Sequence, residues 1–276
     1  MSRPAARAGA STACGEGDSI ARRPLARHAT QTPMTSPLVI SLLLGCVAGI
    51  ANLAGAAIVV ARAWSRTLLA YFIAVGSGFM LATALGEMVP ESLRRSPTIG
   101  PPLILAGYFV VHFFEHSWPA HFHYGEETHF EPFHDRRVAF LALGGLSIHT
   151  FFDGVAIASG FLISNWLGAV IFGATIVHNL PEGFTIASIM AAARKSRRAG
   201  LGAAATLGVS RLAGIVAMGL ARHWVNAGLA LSGGVTLYVA ASDLIPEVNR
   251  MHGLRTALAV VLGVALVLLL RLAFES

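Results

Sequence analysis

The chain has 276 residues, of which 55% are hydrophobic and only 12% charged, with a mean hydropathy of +0.66. A soluble domain carries about twice that charge, so the composition excludes an ordinary soluble globule and fits an integral membrane protein. The net charge of +6 comes from arginines beside apolar segments, with no basic stripe of interleaved aromatics, which sets nucleic-acid binding aside. The two cysteines, Cys14 and Cys46, form neither a disulfide framework nor a CxxC metal motif.

Residues 1–34, rich in Arg, Ala and Ser, contain no apolar stretch of signal-peptide length and are expected to be a disordered tail. They also read as an Arg-rich targeting segment, or as sequence upstream of a start at Met34. Residues 35–276 are expected to form a single domain. Eight apolar segments lie at about 37–61, 67–90, 101–118, 138–163, 166–193, 199–221, 225–247 and 254–273. Each is close to the roughly 20 residues that a spanning helix needs.

The second segment contains GSGFMLATALGEMVPE, with Met80, Glu87 and Glu91. The connection after the third, residues 119–136, is histidine-rich: His121, His123, His129 and His134 follow His112 and His116. Its irregular spacing fits weak metal capture better than a fixed tetrahedral site, the alternative being a solvated amphipathic loop. The sixth segment holds Arg211 in TLGVSRLAGIV, near mid-span, where a guanidinium needs an acidic partner. The seventh contains GGVTLYVAASDLIPE, with Asp243 and Glu247.

Positions 87 and 243, like 90 and 246, are 156 residues apart. An even-numbered and an odd-numbered span run in opposite directions, so this repeat is inverted, a recurrent transporter design. Spans one to three then mirror six to eight around four and five, a 3+2+3 arrangement. Glu91 and Glu247 follow prolines and read as boundary residues, whereas Glu87 and Asp243 lie a turn deeper. Arg62, Arg66, Arg136, Arg137, Arg194, Lys195, Arg197, Arg198, Arg250 and Arg255 fall on one side, against Arg94, Arg95, Arg222 and Arg271 on the other. The positive-inside bias puts the first set in the cytoplasm and both termini outside, with the arginines of the tail arguing the other way.

Spans four and five carry the chemistry. His149 and Asp153, and again His178 and Glu182, are four residues apart. Four residues turn a helix by about 400° and advance it about 6 Å, so each pair shares one helix face. His149 to His178 and Asp153 to Glu182 are both steps of 29 residues, and each acid precedes a glycine. A loop of a few residues near Ser164 and Asn165 makes the two helices antiparallel neighbours, and two imidazoles and two carboxylates facing each other form a divalent-metal site by ligand type. Pro181 adds a carbonyl, that of Val177, freed from its helix bond.

HTFFDG and HNLPEG resemble the metal-binding motifs of the fourth and fifth transmembrane helices of the ZIP (Zrt/Irt-like) family of divalent metal transporters. HNLPEG is the specific match; HTFFDG is looser, with Thr150 where Asn is usual. The resemblance implies that His149, Asp153, His178 and Glu182 are the primary metal ligands. It places Thr150 and Asn179 at positions that help to bind a second ion in some members, and Met80 at one that contacts metal in some, although a gap-filling core Met is the other reading. It also implies a histidine-rich cytoplasmic loop and a homodimer. Arg211 stands where members with two metals carry a glutamate. Its guanidinium is therefore expected to take the place of the second cation, pair with Asp153 or Glu182, and leave a single-metal site.

The expected protein is thus an all-α integral membrane transporter of eight helices. It moves a divalent transition metal into the cytoplasm across a plasma (inner) membrane by alternating access, with Glu87 and Asp243 along the ion's path. Zn2+ is the favoured ion, and nitrogen and oxygen donors leave Fe2+, Mn2+, Co2+ and Cd2+ open. Its partners are the bilayer and the ion, and it is not expected to be an enzyme. An intramembrane zinc-dependent hydrolase would need a further acid as general base, and no HExxH motif is present. A metal sensor without flux is the other alternative.

Overall fold

Inside lipid a segment must satisfy its own backbone N–H and C=O groups, so isolated apolar runs of this length fold as helices. In the computed structural model, which describes residues 36–61, 66–117, 136–250 and 253–275, they form eight rods. These are α1 (Ser36–Ala61), α2 (Arg66–Thr83, a π-helical turn at Ala84–Met88, then Val89–Arg95), α3 (Gly100–Ser117), α4 (Arg136–Ile163) and α5 (Asn165–Ala192). They continue with α6 (Arg197–Leu220), α7 (Val225–Tyr238, a π-helical turn at Val239–Leu244, then Ile245–Arg250) and α8 (Leu254–Glu275). No strand occurs among the described residues. The expected tail and most of the histidine-rich connection, with His121, His123, His129 and His134, lie outside the described residues.

Among the described residues six helices, α1, α2, α4, α6, α7 and α8, are long and apolar enough to cross a membrane. The other two carry more polar groups. Helix α3 has only 18 residues, with Pro101 and Pro102 at its start and His112, Glu115 and His116 near its end, while α5 carries His178, Asn179, Pro181 and Glu182. Leu43 and Ile50 of α1 and Leu262, Leu269 and Leu272 of α8 are exposed, an outward apolar surface suited to acyl chains.

The helices meet backbone to backbone at glycines, in four pairs. In α1 and α5, Gly55 faces the Leu180 carbonyl and Gly183 faces that of Asn52. In α4 and α6, Gly154 faces the Arg211 carbonyl and Gly214 that of Phe151. Helices α2 and α8 meet at Gly78 against Val260 and Gly263 against Val75, and α3 and α7 at Gly107 against Leu231 and Gly234 against Ile104. A Cβ at any of these glycines would overlap the facing carbonyl oxygen. Helix association in a bilayer relies on such close packing of small residues, because lipid removes the hydrophobic drive.

These contacts are copies of one another. Adding 156 to Gly78 and Ile104 gives Gly234 and Val260, and adding it to Val75 and Gly107 gives Leu231 and Gly263. Between α1 and α6 the step is 159, taking Asn52 to Arg211 and Gly55 to Gly214, and between α4 and α5 it is 29, taking Phe151 to Leu180 and Gly154 to Gly183. Gly49 and Gly208, also 159 apart, face each other where α1 crosses α6. The two π-helical turns hold the paired acids Glu87 and Asp243, each just ahead of Pro90 or Pro246.

Candidate metal centre

Helix α4 ends at Ile163 and α5 begins at Asn165. Between them Ser164 caps α5, its hydroxyl accepting from the Leu167 N–H at 3.1 Å. This single-residue link makes the two helices antiparallel neighbours, and the faces bearing His149, Asp153, His178 and Glu182 turn inward. All four side chains are buried.

Three of the four converge. Asp153 Oδ2 lies 3.2 Å from His178 Nε2 and 3.6 Å from His149 Nε2, and one donor atom from each of the three residues falls within 4.8 Å of the others. Two donors bound tetrahedrally at Zn–N and Zn–O lengths of about 2.0–2.2 Å stand roughly 3.3 Å apart. The two contacts to Asp153 bracket that edge length. The His178 ring is oriented by its Nδ1–H, which donates to the Ala174 carbonyl at 2.7 Å. Its Nε2 faces the Asp153 carboxylate at hydrogen-bond distance, a gap that either a proton on Nε2 or a bound cation can bridge.

Glu182 is turned elsewhere. Its Oε2 accepts from Asn52 Nδ2 at 3.0 Å and from Arg211 Nη2 at 3.3 Å, while Oε1 has no hydrogen-bond partner among the described residues. Arg211, fully buried, reaches both carboxylates through one nitrogen: Nη2 is 3.5 Å from Asp153 Oδ2, 3.3 Å from Glu182 Oε2 and 2.8 Å from Asn179 Oδ1. Asn179 in turn donates to the Ala48 carbonyl of α1 at 2.9 Å. The Thr150 hydroxyl bonds within its own helix, to the Ser147 carbonyl at 3.2 Å.

The remaining candidates are not among the three converging residues. Met80 is buried in the main apolar cluster. Glu87 accepts from Trp166 Nε1 at 3.4 Å and pairs with Arg271 at 3.7 Å, beside a cavity of about 350 Å3 that Glu91, Arg94 and Arg95 also line. Asp243 is buried in the π-helical turn of α7. His116, exposed, donates from Nδ1 to the His112 carbonyl at 2.9 Å.

Asn52 is the site residue that the sequence reading missed. The signal was present: NLAG at residues 52–55 of α1 matches RLAG at 211–214 of α6. In both, the polar residue faces the site and the glycine three residues on meets the neighbouring backbone.

A family model described as ZIP Zinc transporter matches residues 125–271, a stretch that includes α4 to α7, most of α8 and the whole of the buried cluster except Asn52. The chain belongs to the ZIP family. No individual curated protein matches it. With its apolar helices this makes it an integral membrane protein of a family of divalent-metal transporters. The buried His149, Asp153 and His178 are a group able to hold such a metal. Since ZIP proteins are transporters, the hydrolase and flux-free sensor readings gain no support from the family.

Proposed function

We propose that this ZIP protein carries Zn2+ into the cytoplasm, one ion at a time, through a site made by α4 and α5. The observation that carries the reading is the convergence of His149, Asp153 and His178 on a volume the size of one coordination shell, inside two apolar helices. Ionisable groups at membrane depth are costly, and here they cluster instead of scattering. Glu182 supplies the fourth donor through Oε1, which has no hydrogen-bond partner among the described residues, while its Oε2 stays with Arg211. Nitrogen and oxygen donors also admit Fe2+, Mn2+, Co2+ and Cd2+.

All eight rods cross the bilayer in this reading. The matched glycine contacts and π-helical turns support an inverted repeat in the 3+2+3 order, with both termini outside a plasma (inner) membrane. Because α1 locks onto α5 and α6 onto α4, spans one to three do not slide as a block past the ion-binding pair. The seam for alternating access runs instead between α1, α4, α5 and α6 on one side and α2, α3, α7 and α8 on the other. Glu87 and Asp243, in matched turns of oppositely directed helices, serve as way-points near opposite faces. A homodimer is consistent with the family.

The test is uptake into liposomes holding the purified full chain and a zinc-sensitive dye, with competing ions outside. Saturable uptake, abolished in Asp153→Ala, supports the proposal. Uptake that survives alanine at His149, Asp153 and His178 together rejects it.

A further inference from the structure

We propose that Arg211 is a tethered counter-ion that allows the carrier to change sides empty, and so determines whether it performs net transport or only exchange. The inference rests on the transport reading above. Asp153 and Glu182 are both buried, and among the described residues Arg211 is the one Arg or Lys set against them. With the histidines neutral, the ion-free site carries two negative charges and one positive, a net of one negative. Without Arg211 it would carry two uncompensated negatives, the arrangement most costly to move through a low-dielectric protein and lipid.

The geometry gives this cation two positions. Asp153 Oδ2, one of its three anchors at 3.5 Å, is also the oxygen nearest both His149 Nε2 and His178 Nε2. A divalent ion bound there takes that oxygen, and Arg211 keeps Asn179 Oδ1 at 2.8 Å and Glu182 Oε2 at 3.3 Å. The loaded site then carries a net of one positive charge. Arg211 thus splits the burden evenly between the loaded and the empty carrier. Removing it makes the loaded site neutral and the empty site doubly negative.

The counter-ion stands on one side of the repeat only. Asn52, which matches Arg211 across α1 and α6, is neutral and donates a hydrogen bond to Glu182. The site therefore holds one built-in cation, and two of its guanidinium nitrogens, Nε and Nη1, have no hydrogen-bond partner among the described residues. A residue kept for packing alone would satisfy its donors or be apolar. What this one satisfies is charge.

The experiment compares two fluxes of radioactive zinc in liposomes containing the full chain. Net uptake starts from zinc-free liposomes and requires the empty carrier to return; exchange starts from liposomes loaded with unlabelled zinc and does not. In Arg211→Gln the ratio of net uptake to exchange is expected to fall at least tenfold. Arg211→Lys keeps the charge and should hold the ratio within about threefold of wild type. The double variant Glu182→Gln/Arg211→Gln restores the charge balance of the empty site, and its ratio should recover even where zinc affinity is lower. A ratio that Arg211→Gln leaves unchanged, whether or not both fluxes drop together, would overturn the proposal, as would failure of the double variant to recover it. Absence of both fluxes in the wild type would instead sink the transport reading.

Discussion

Replacing Gly154 by Ala tests the packing that brings Arg211 to Asp153. The added Cβ would overlap the Arg211 carbonyl oxygen, and restoring an ordinary contact of about 3.5 Å requires α4 and α6 to separate by about 1 Å or more. Overpacking a close contact in this way costs about 1–3 kcal/mol. The same displacement stretches the 3.5 Å contact of Arg211 with Asp153, which α4 carries, beyond ion-pair range. Gly202 is the control: it lies on the same helix α6, is exposed, and a Cβ there meets nothing within 4 Å. Ala at that position gains up to about 1 kcal/mol of helix propensity. Unfolding by denaturant in mild detergent should therefore separate the two variants, with Gly154→Ala clearly less stable than wild type and Gly202→Ala no less stable. Equal stability of the two would refute the argument that α4 and α6 meet through their backbones at Gly154 and Gly214.

Other outcomes follow from the same geometry. Alanine at His149, Asp153 or His178 should weaken zinc binding by more than the 10–100-fold typical of a lost outer-shell partner, measured by titration calorimetry on purified protein. Asn52→Leu removes a buried hydrogen bond to the Glu182 carboxylate, a class of bond worth about 1.5–3 kcal/mol, and should lower both stability and zinc affinity; an unchanged affinity would remove Asn52 from the site. Histidine and carboxylate donors must be deprotonated to hold the ion. Zinc affinity should therefore fall as the pH is lowered, and a flat binding curve on the acid side would count against these donors.

Much of this architecture was legible in the sequence because membrane helices advertise themselves. The expected segments 37–61 and 166–193 correspond to Ser36–Ala61 and Asn165–Ala192, since length and apolarity decide where a spanning helix lies. The four-residue spacing of His149 with Asp153 and of His178 with Glu182 placed each pair on one face, because helix periodicity requires it. Arg211 was expected to pair with Asp153 or Glu182 and meets both; what sequence alone did not yield was the contact that α1 makes with the site. Asn52 is a lone polar residue in an apolar run, and its link to Glu182, 130 residues away, depends on Gly183 and Gly55 bringing α1 against α5. The position of Glu182 depends on this remote Asn52 as well as on Arg211 of the next helix. The NLAG and RLAG match is displaced by three residues from the 156-residue step of the other helices, so a single repeat distance does not find it.

The most direct measurement is X-ray absorption at the zinc edge on the purified, zinc-loaded chain. One zinc per chain, with two imidazoles and carboxylate oxygen at about 2.0–2.2 Å, and loss of one imidazole in each of His149→Ala and His178→Ala, is the predicted result. A zinc shell without histidine, or one that neither substitution alters, would contradict the claim that α4 and α5 share a single bound cation.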